Sequence, residues 1–481
     1  LMFSPRYCRS YWTFVVLFLV VLFHVDPAAR AQEPRPLFVE GYTGKVSYVP
    51  GETVNLHVST SASVFNVEIF RLGGEDKKVW AQEGIEGQVS NVPGNASSHG
   101  CEWPVSLEIP IPLDMQSGYY EVRLRASDRG GKYVQRNRRH AEGTCFFIVR
   151  SAQPGKDTRI LLQLSTNTYN AYNNWGGFSL YGFHGAGGNQ GHRVSFDRPP
   201  SSLYNNWERP FVQWAETHGY VLDFAANNDL EFHPELLSSY KLVLSLGHDE
   251  YWSAPMRDHL ESYITEGGNV AFFSGNTCCW QIRNEAKGRA STCWKQNFHS
   301  DPVYQARKGN DLLSSLWSHH LVGRPENTLT GVGFLWGGYH RSHGQYMDGS
   351  GAYTVHRPEH WVFAGTSLKQ KDVFGGKDSI VGYECDGCEM TWKEGLPFPT
   401  YQDGTPPSFQ ILGTAPARWH PDDCQWYDQW ENGRAGNAVL GIYARGGTVF
   451  TCGSTDWSHG LTGKDPIVEQ ITRNVLNRLS E

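Results

Sequence analysis

The segment Lys241–Trp252, KLVLSLGHDEYW, constrains the fold of this chain more than any other. Its first half is a run of Leu, Val and Ser without the polar alternation of a half-solvated strand, and the run stops at Gly247. Continuous apolar strands belong to parallel sheets covered on both faces, and such sheets bind ligands outside the carboxyl ends of their strands. His248, Asp249, Glu250 and Tyr251 follow Gly247 directly, so ionisable side chains are delivered to that edge. The other role open to His248 or Asp249 is capping of the next helix.

The flanking pattern supports a mostly parallel sheet. RILLQLS, YVLDFA, KLVLSLG and NVAFFSG read as strands, and ERPFVQWAETHGY, PELLSSY and APMRDHLESYITEGG as the helices between them. AVLGIYA, GGTVFTCGSTDWSHGL and the terminal helix PIVEQITRNVLNRLS resume the pattern near the end. Strands alternating with helices of this length are right-handed βαβ units. Residues 158–481 are therefore expected to form one α/β domain, with a long, aromatic, turn-rich insertion over 277–435 as a β-rich cap or wall. Before it, VSYVPGETVNLHVST, VFNVEIFRLGG, SLEIPIPLDMQSGYYEVRLRASDRGG and GTCFFIVR alternate with period two between turn signals. That pattern predicts an all-β, immunoglobulin-like sandwich over residues 34–150, joined through SAQPGKD.

Arg6 and Arg9, the apolar run Tyr11–Val25 and the triplet Ala29-Arg30-Ala31 read as a secretory signal over residues 1–31. The run is shorter than the roughly 20 residues of a spanning helix, so a secreted or periplasmic protein free of the membrane after cleavage is expected. Removing three arginines and one aspartate takes the formal charge from −7 to −9, which argues against nucleic acid as a partner. In an oxidising compartment most of the nine remaining cysteines would pair. Cys101 with Cys145 is the expected first bridge, and Cys385 with Cys388, with Cys424 as a further partner, another. Asn95-Ala96-Ser97 is a glycosylation sequon.

No GxxxxGK, GxGxxG, GxSxG or HExxH motif is present, so nucleotide, nucleophilic-serine and zinc-protease chemistry are unsupported. What converges on the carboxyl edge is aromatic and acidic. The loop TNTYNAYNNWGG after RILLQLS carries Tyr169 and Tyr172, and DSIVGYECDGCE places Glu384 and Asp386 behind a short apolar run.

In order, NTYNAYNNWGG, SFDRPP, GHDEYWS, EGGNVAFFSGN, VGYECDG and GGTVFTCGSTDWSHGL resemble the large (beta) subunit of N,N-dimethylformamidase and its relatives. The resemblance covers most of residues 158–481 and, more loosely, the sandwich. It implies an α/β part similar to the class I glutamine amidotransferase, flavodoxin-like fold. It also implies one iron (Fe(III)) per chain, bound by two tyrosines and a glutamate, and hydrolysis of the C–N bond of a small amide. Carried over by motif, the ligands are Tyr172, Tyr251 and Glu384; Tyr169 competes with Tyr172, and Asp386 or Glu250 with Glu384. His248 and Glu250 are the neighbouring candidates for base or orienting group. Phenolate and carboxylate are hard donors suited to a hard trivalent cation. A small partner subunit or self-association is left open.

Two other readings compete. Cys278 or Cys279, with His248 or His459 as base, would make a thiol hydrolase, unless either cysteine bridges to Cys293. A non-enzymatic secreted module would instead stack carbohydrate on Trp175, Trp207, Trp252, Trp280 or Trp336.

Overall fold

The computed structural model describes residues 37–128, 139–342, 345–346, 351–419 and 435–481, so the expected signal segment and Cys424 lie outside the described residues. Alternation in the first part builds two sheets. Val39–Thr43, Thr53–Thr60 and Leu107–Pro110 form one; Ser47–Tyr48, Arg139–Val149, Gly118–Asp128, Val64–Leu72 and Asp76–Glu86 form the other. Residues of one parity, among them Val54, Leu56, Val67, Ile69, Val122 and Phe147, fill the space between the sheets. The opposite parity of the larger sheet is buried too: Tyr119, Phe146 and Ile148 share a core with Ile160, Leu162, Phe211 and Phe224 of the α/β part. That double burial explains why GTCFFIVR is apolar at consecutive positions.

The second part is organised on a sheet whose five parallel strands run in the spatial order Asp223–Ala226, Ile160–Leu164, Leu242–His248, Asn269–Gly275 and Gly447–Thr451. In chain order this is 2-1-3-4-5, so the chain reverses direction beside Ile160–Leu164 and opens a crevice at its carboxyl end. Helices cover both faces. Ala254–Thr265 lays Met256, Leu260 and Ile264 on one side, while Glu208–Thr217 and Pro466–Ser480 lay Phe211, Val212, Ile471 and Val475 on the other. Ser253 caps Ala254–Thr265 through the Met256 N–H, so neither His248 nor Asp249 is the cap.

The insertion does more than cover the site. Gln410–Arg418, Gly333–Tyr339 and Glu384–Gly387 continue the central sheet as antiparallel strands beyond Ala435–Arg445. Trp280–Glu285 and Ala290–Thr292 instead join Tyr251–Ser253 and Arg193–Ser195 in a separate four-stranded sheet that walls the crevice.

Among the described residues no expected disulfide forms: all eight described cysteines are buried free thiols. Cys101 packs with Tyr42 and Trp103, away from Cys145 in the sandwich core. Cys385 lies on the strand Glu384–Gly387 and Cys388 just past its end, and the two enter cores on opposite faces of the sheet. The thiol of Cys293 donates to the Gln281 carbonyl, 3.5 Å away. Among the described residues no helix is long and apolar enough to cross a membrane.

Candidate functional site

The strand Leu242–His248 is buried along its whole length and stays paired through His248, with Gly247 at a φ of +67°. A Cβ there would lie 2.1 Å from Trp207 Cβ, so both conformation and space demand glycine. The next residues then point in alternate directions. Asp249 turns back into the sheet and accepts hydrogen bonds from Ser245 Oγ (2.8 Å), Asn227 Nδ2 (3.1 Å) and Gln163 Nε2, which makes it a brace between strand ends. His248 and Glu250 turn into the crevice, 2% and 3% exposed.

Glu250 is the hub. Tyr172 Oη donates to its Oε2 at 3.0 Å, Tyr181 Oη lies 3.0 Å from both oxygens, and Trp280 Nε1 donates to Oε1 at 2.8 Å. Tyr251, fully buried, donates to Tyr181 Oη at 2.8 Å and accepts from Lys295 Nζ at 3.0 Å. The Lys295 ammonium also sits 3.4 Å from the centre of the Tyr181 ring. On the other side, His248 Nε2 lies 2.8 Å from Glu384 Oε2 and 3.2 Å from Glu250 Oε2, ion-pair distances with neither contact aligned as a hydrogen bond. Asn276 Nδ2 donates to Glu384 at 3.1 Å, and Trp207, Tyr172 and Tyr383 enclose the imidazole.

The charges follow from this packing. Burial opposes a charged imidazole, but Glu384 and Glu250 outweigh it and raise His248 to about 10. Burial also disfavours the Glu250 carboxylate, yet His248, Lys295 and Tyr181 hold it below the usual range. Burial pulls Lys295 down to about 8, against the attraction of Glu250. Burial, reinforced by Glu250, pushes the phenols of Tyr172, Tyr181 and Tyr251 well above the tyrosine range. At neutral pH the site therefore holds two cations, a carboxylate hub and protonated phenols.

Of the carried-over set, Tyr172 reaches the hub directly. Tyr251 meets it through Tyr181, and Glu384 through His248. Tyr169 faces the core and donates to Glu208 at 2.5 Å. Asp386 lies behind the site, bound by the backbone N–H groups of Asn276 and Thr277. Tyr181 and Lys295 escaped the sequence reading. Tyr181 stands in the same loop as Tyr172, nine residues on, whereas Lys295 carries no motif.

Arg198, from SFDRPP, locks that loop. Fully buried, its guanidinium donates to the carbonyls of Ser195 (2.9 Å), Trp175 (2.5 Å), Phe178 (3.1 Å) and Asn173 (2.9 Å). It thus ties the end of the helix bearing Tyr172 to the turn that leads to Tyr181.

The competing readings find little support. Cys278 and Cys279 are buried, which raises both thiols well above the thiol range, and neither hydrogen-bonds a histidine among the described residues. Trp252 and Trp280 are buried and use their indole N–H groups internally, while Trp175, Trp207 and Trp336 are half-buried. Among the described residues no group of three His, Cys, Asp or Glu side chains is set to hold a metal; the convergent donors are phenol and carboxylate oxygens.

Comparison with known proteins adds an independent line. The family described as N,N-dimethylformamidase beta subunit-like, C-terminal, matches residues 66–471. The N,N-dimethylformamidase beta subunit of Alcaligenes sp is 24% identical over 447 residues, covering 79% of this chain and 54% of that protein. That of Paracoccus aminophilus is 23% identical over 455 residues, with the same shares. The chain thus spans about half the length of the curated relatives it matches. Among solved structures, the sporulation control protein Spo0M of Bacillus subtilis aligns at 16% identity and a TM-score of 0.17, covering 25% of this chain and 52% of that one.

Proposed function

Because the chain belongs to the N,N-dimethylformamidase beta subunit-like family, we propose that it is a hydrolase of small N-substituted amides whose site is centred on Glu250. The observation that carries this reading is the convergence of two phenols, Tyr172 and Tyr181, on one buried carboxylate. A donor set of two tyrosines and a glutamate is what the resemblance implies for iron, and here the three groups in mutual contact are Tyr172, Tyr181 and Glu250. All three are hard oxygen donors, and without a cation the phenols stay protonated and share their protons with Glu250. Tyr172, Tyr181 and Glu250 would hold the ion, which when bound supplies a Lewis acid for the amide carbonyl and an acidified water.

The surrounding residues prepare the rest of the chemistry. Trp280 Nε1 fixes the rotamer of Glu250, and Lys295 balances charge beside Tyr181 and Tyr251. His248, kept protonated by Glu384 and Glu250, is the available proton donor for the departing amine. Trp207 and Tyr383 shield it from water. We further take the α/β part to be of glutamine amidotransferase type, and the chain to be exported and to work with a second subunit, since both relatives are named as beta subunits.

The test is metal analysis and a visible spectrum of the purified protein, with Tyr172→Phe, Tyr181→Phe and Tyr251→Phe, alongside hydrolysis of N,N-dimethylformamide. Stoichiometric iron with a phenolate charge-transfer band, weakened by the first two substitutions and retained in Tyr251→Phe, is the expected result. Iron-free protein after reconstitution, or a band lost only in Tyr251→Phe, refutes the assignment.

A further inference from the structure

At the edge of the parallel sheet, beyond the carboxyl end of Asp223–Ala226, lies a cavity of about 480 Å³ that shares no residue with the phenol site. The sandwich, the sheet edge and the insertion each supply a wall, and the cavity is of ligand-binding size. Its distinguishing residue is Arg150, 8% exposed. The guanidinium Nε is 3.5 Å from Asp229 Oδ1 without an aligned hydrogen bond, and among the described residues neither terminal amino group has a protein partner. Its Nε is buried without a hydrogen bond, while its terminal amino groups stay open to the cavity, where a carboxylate or phosphate can take both at once.

The carboxylates nearby are already engaged. Glu52 pairs with Lys45 at 2.6 Å and Asp197 with Arg289 at 2.6 Å, while Asp229 accepts the Ala226 N–H at 2.8 Å. Lys287 is left without an ion-pair partner. It stands on a turn in which Ala286, Lys287 and Gly288 have φ of +49°, +57° and +82°. That turn is anchored from within: Asn228 Nδ2 donates to the Gly288 carbonyl at 2.9 Å, and a Cβ on Gly288 would come within 2.8 Å of the Phe232 ring. The anchored turn fixes the backbone at Lys287, whose exposed side chain borders the cavity. Four cations thus face three carboxylates, in a chain whose formal charge is −7.

We propose that this cavity binds a small organic anion. Its carboxylate or phosphate group is held by the fork of Arg150 and by Lys287, and its apolar body lies against Phe196 and Phe232. Calorimetric titration of the whole chain with benzoate, phenyl phosphate and inorganic phosphate, with benzamide as the uncharged control, tests it. At least one anion is expected to bind at one site while benzamide does not. Lys287→Glu, on an exposed turn, weakens binding by about tenfold or more, and Arg150→Met removes it, as loss of charge-assisted hydrogen bonds requires. Benzoate binding identifies a carboxylate ligand; binding of both phosphates without benzoate identifies a phosphate. No binding of any anion up to ~10 mM, or binding that Lys287→Glu leaves unchanged, overturns the proposal. Should Arg150→Met fail to fold, the Lys287→Glu result decides alone.

Discussion

Replacing Arg198 with methionine is expected to disable the phenol site from a distance. The side chain donates four well-placed hydrogen bonds to the carbonyls of Ser195, Trp175, Phe178 and Asn173, with weaker contacts at 3.4 and 3.5 Å to Asn170. A hydrogen bond to a charged donor is worth roughly 1.5 kcal/mol or more, so the four together contribute about 6 kcal/mol. Against this stands the cost of burying the charge, which pulls the guanidinium down from its ordinary range to about 10 and amounts to about 3 kcal/mol. Arg198→Met should therefore lower stability by about 3 kcal/mol, measured by urea unfolding at constant m-value. Arg198→Lys should recover little of it, because one ammonium cannot span both the Asn173 and Phe178 carbonyls. Since the guanidinium sets the spacing between Tyr172 and Tyr181, the activity and the phenolate band proposed for this site should fall further than the unfolded fraction explains. Unfolding within about 1 kcal/mol of wild type, or a destabilised variant with an intact band, would refute the reasoning.

Gly247→Ala should cost at least about 2 kcal/mol by urea unfolding, because the new methyl meets Trp207 at a positive φ; a neutral result would mean the loop is not held as described. Burial raises Glu208 from 4.5 to about 7, so the folded state binds that proton more tightly than the unfolded chain. Its contribution is full below pH 4.5 and declines as pH rises through 7, by about 3 kcal/mol. Glu208→Gln should consequently flatten the stability profile between pH 5 and pH 8, and parallel profiles would exclude Glu208 as the source. Iodoacetamide should modify none of the eight described cysteines in the folded protein, but all of them in urea. Rapid modification of Cys278 or Cys279 would revive the thiol-hydrolase reading.

Much of the site was legible wherever chemistry and secondary structure coincide in one segment. KLVLSLGHDEYW announced both a buried strand and the polar residues at its end, and His248 and Glu250 do enter the crevice. Asp249 does not, because successive residues leaving a strand face opposite sides, and the intervening one turned back to Ser245, Asn227 and Gln163. The cysteine reading failed for a related reason. Spacing and compartment suggested pairs, but Cys385 and Cys388 enter opposite faces of one sheet, and Cys101 and Cys145 enter separate cores.

By itself, the sequence determined the period-two sandwich, the alternating strands and helices, and the polar loops at the carboxyl edge, because each depends on hydrophobic periodicity within a dozen residues. Only the tertiary structure decided which side chains meet there. Lys295 reaches Tyr251 across 44 positions, Glu384 reaches His248 from a strand of the insertion, and Tyr181 comes between Glu250 and Tyr251 because Arg198 pins its loop. No local propensity encodes such contacts; they exist because the parallel sheet gathers distant loops at one edge, where burial makes their charges interact strongly.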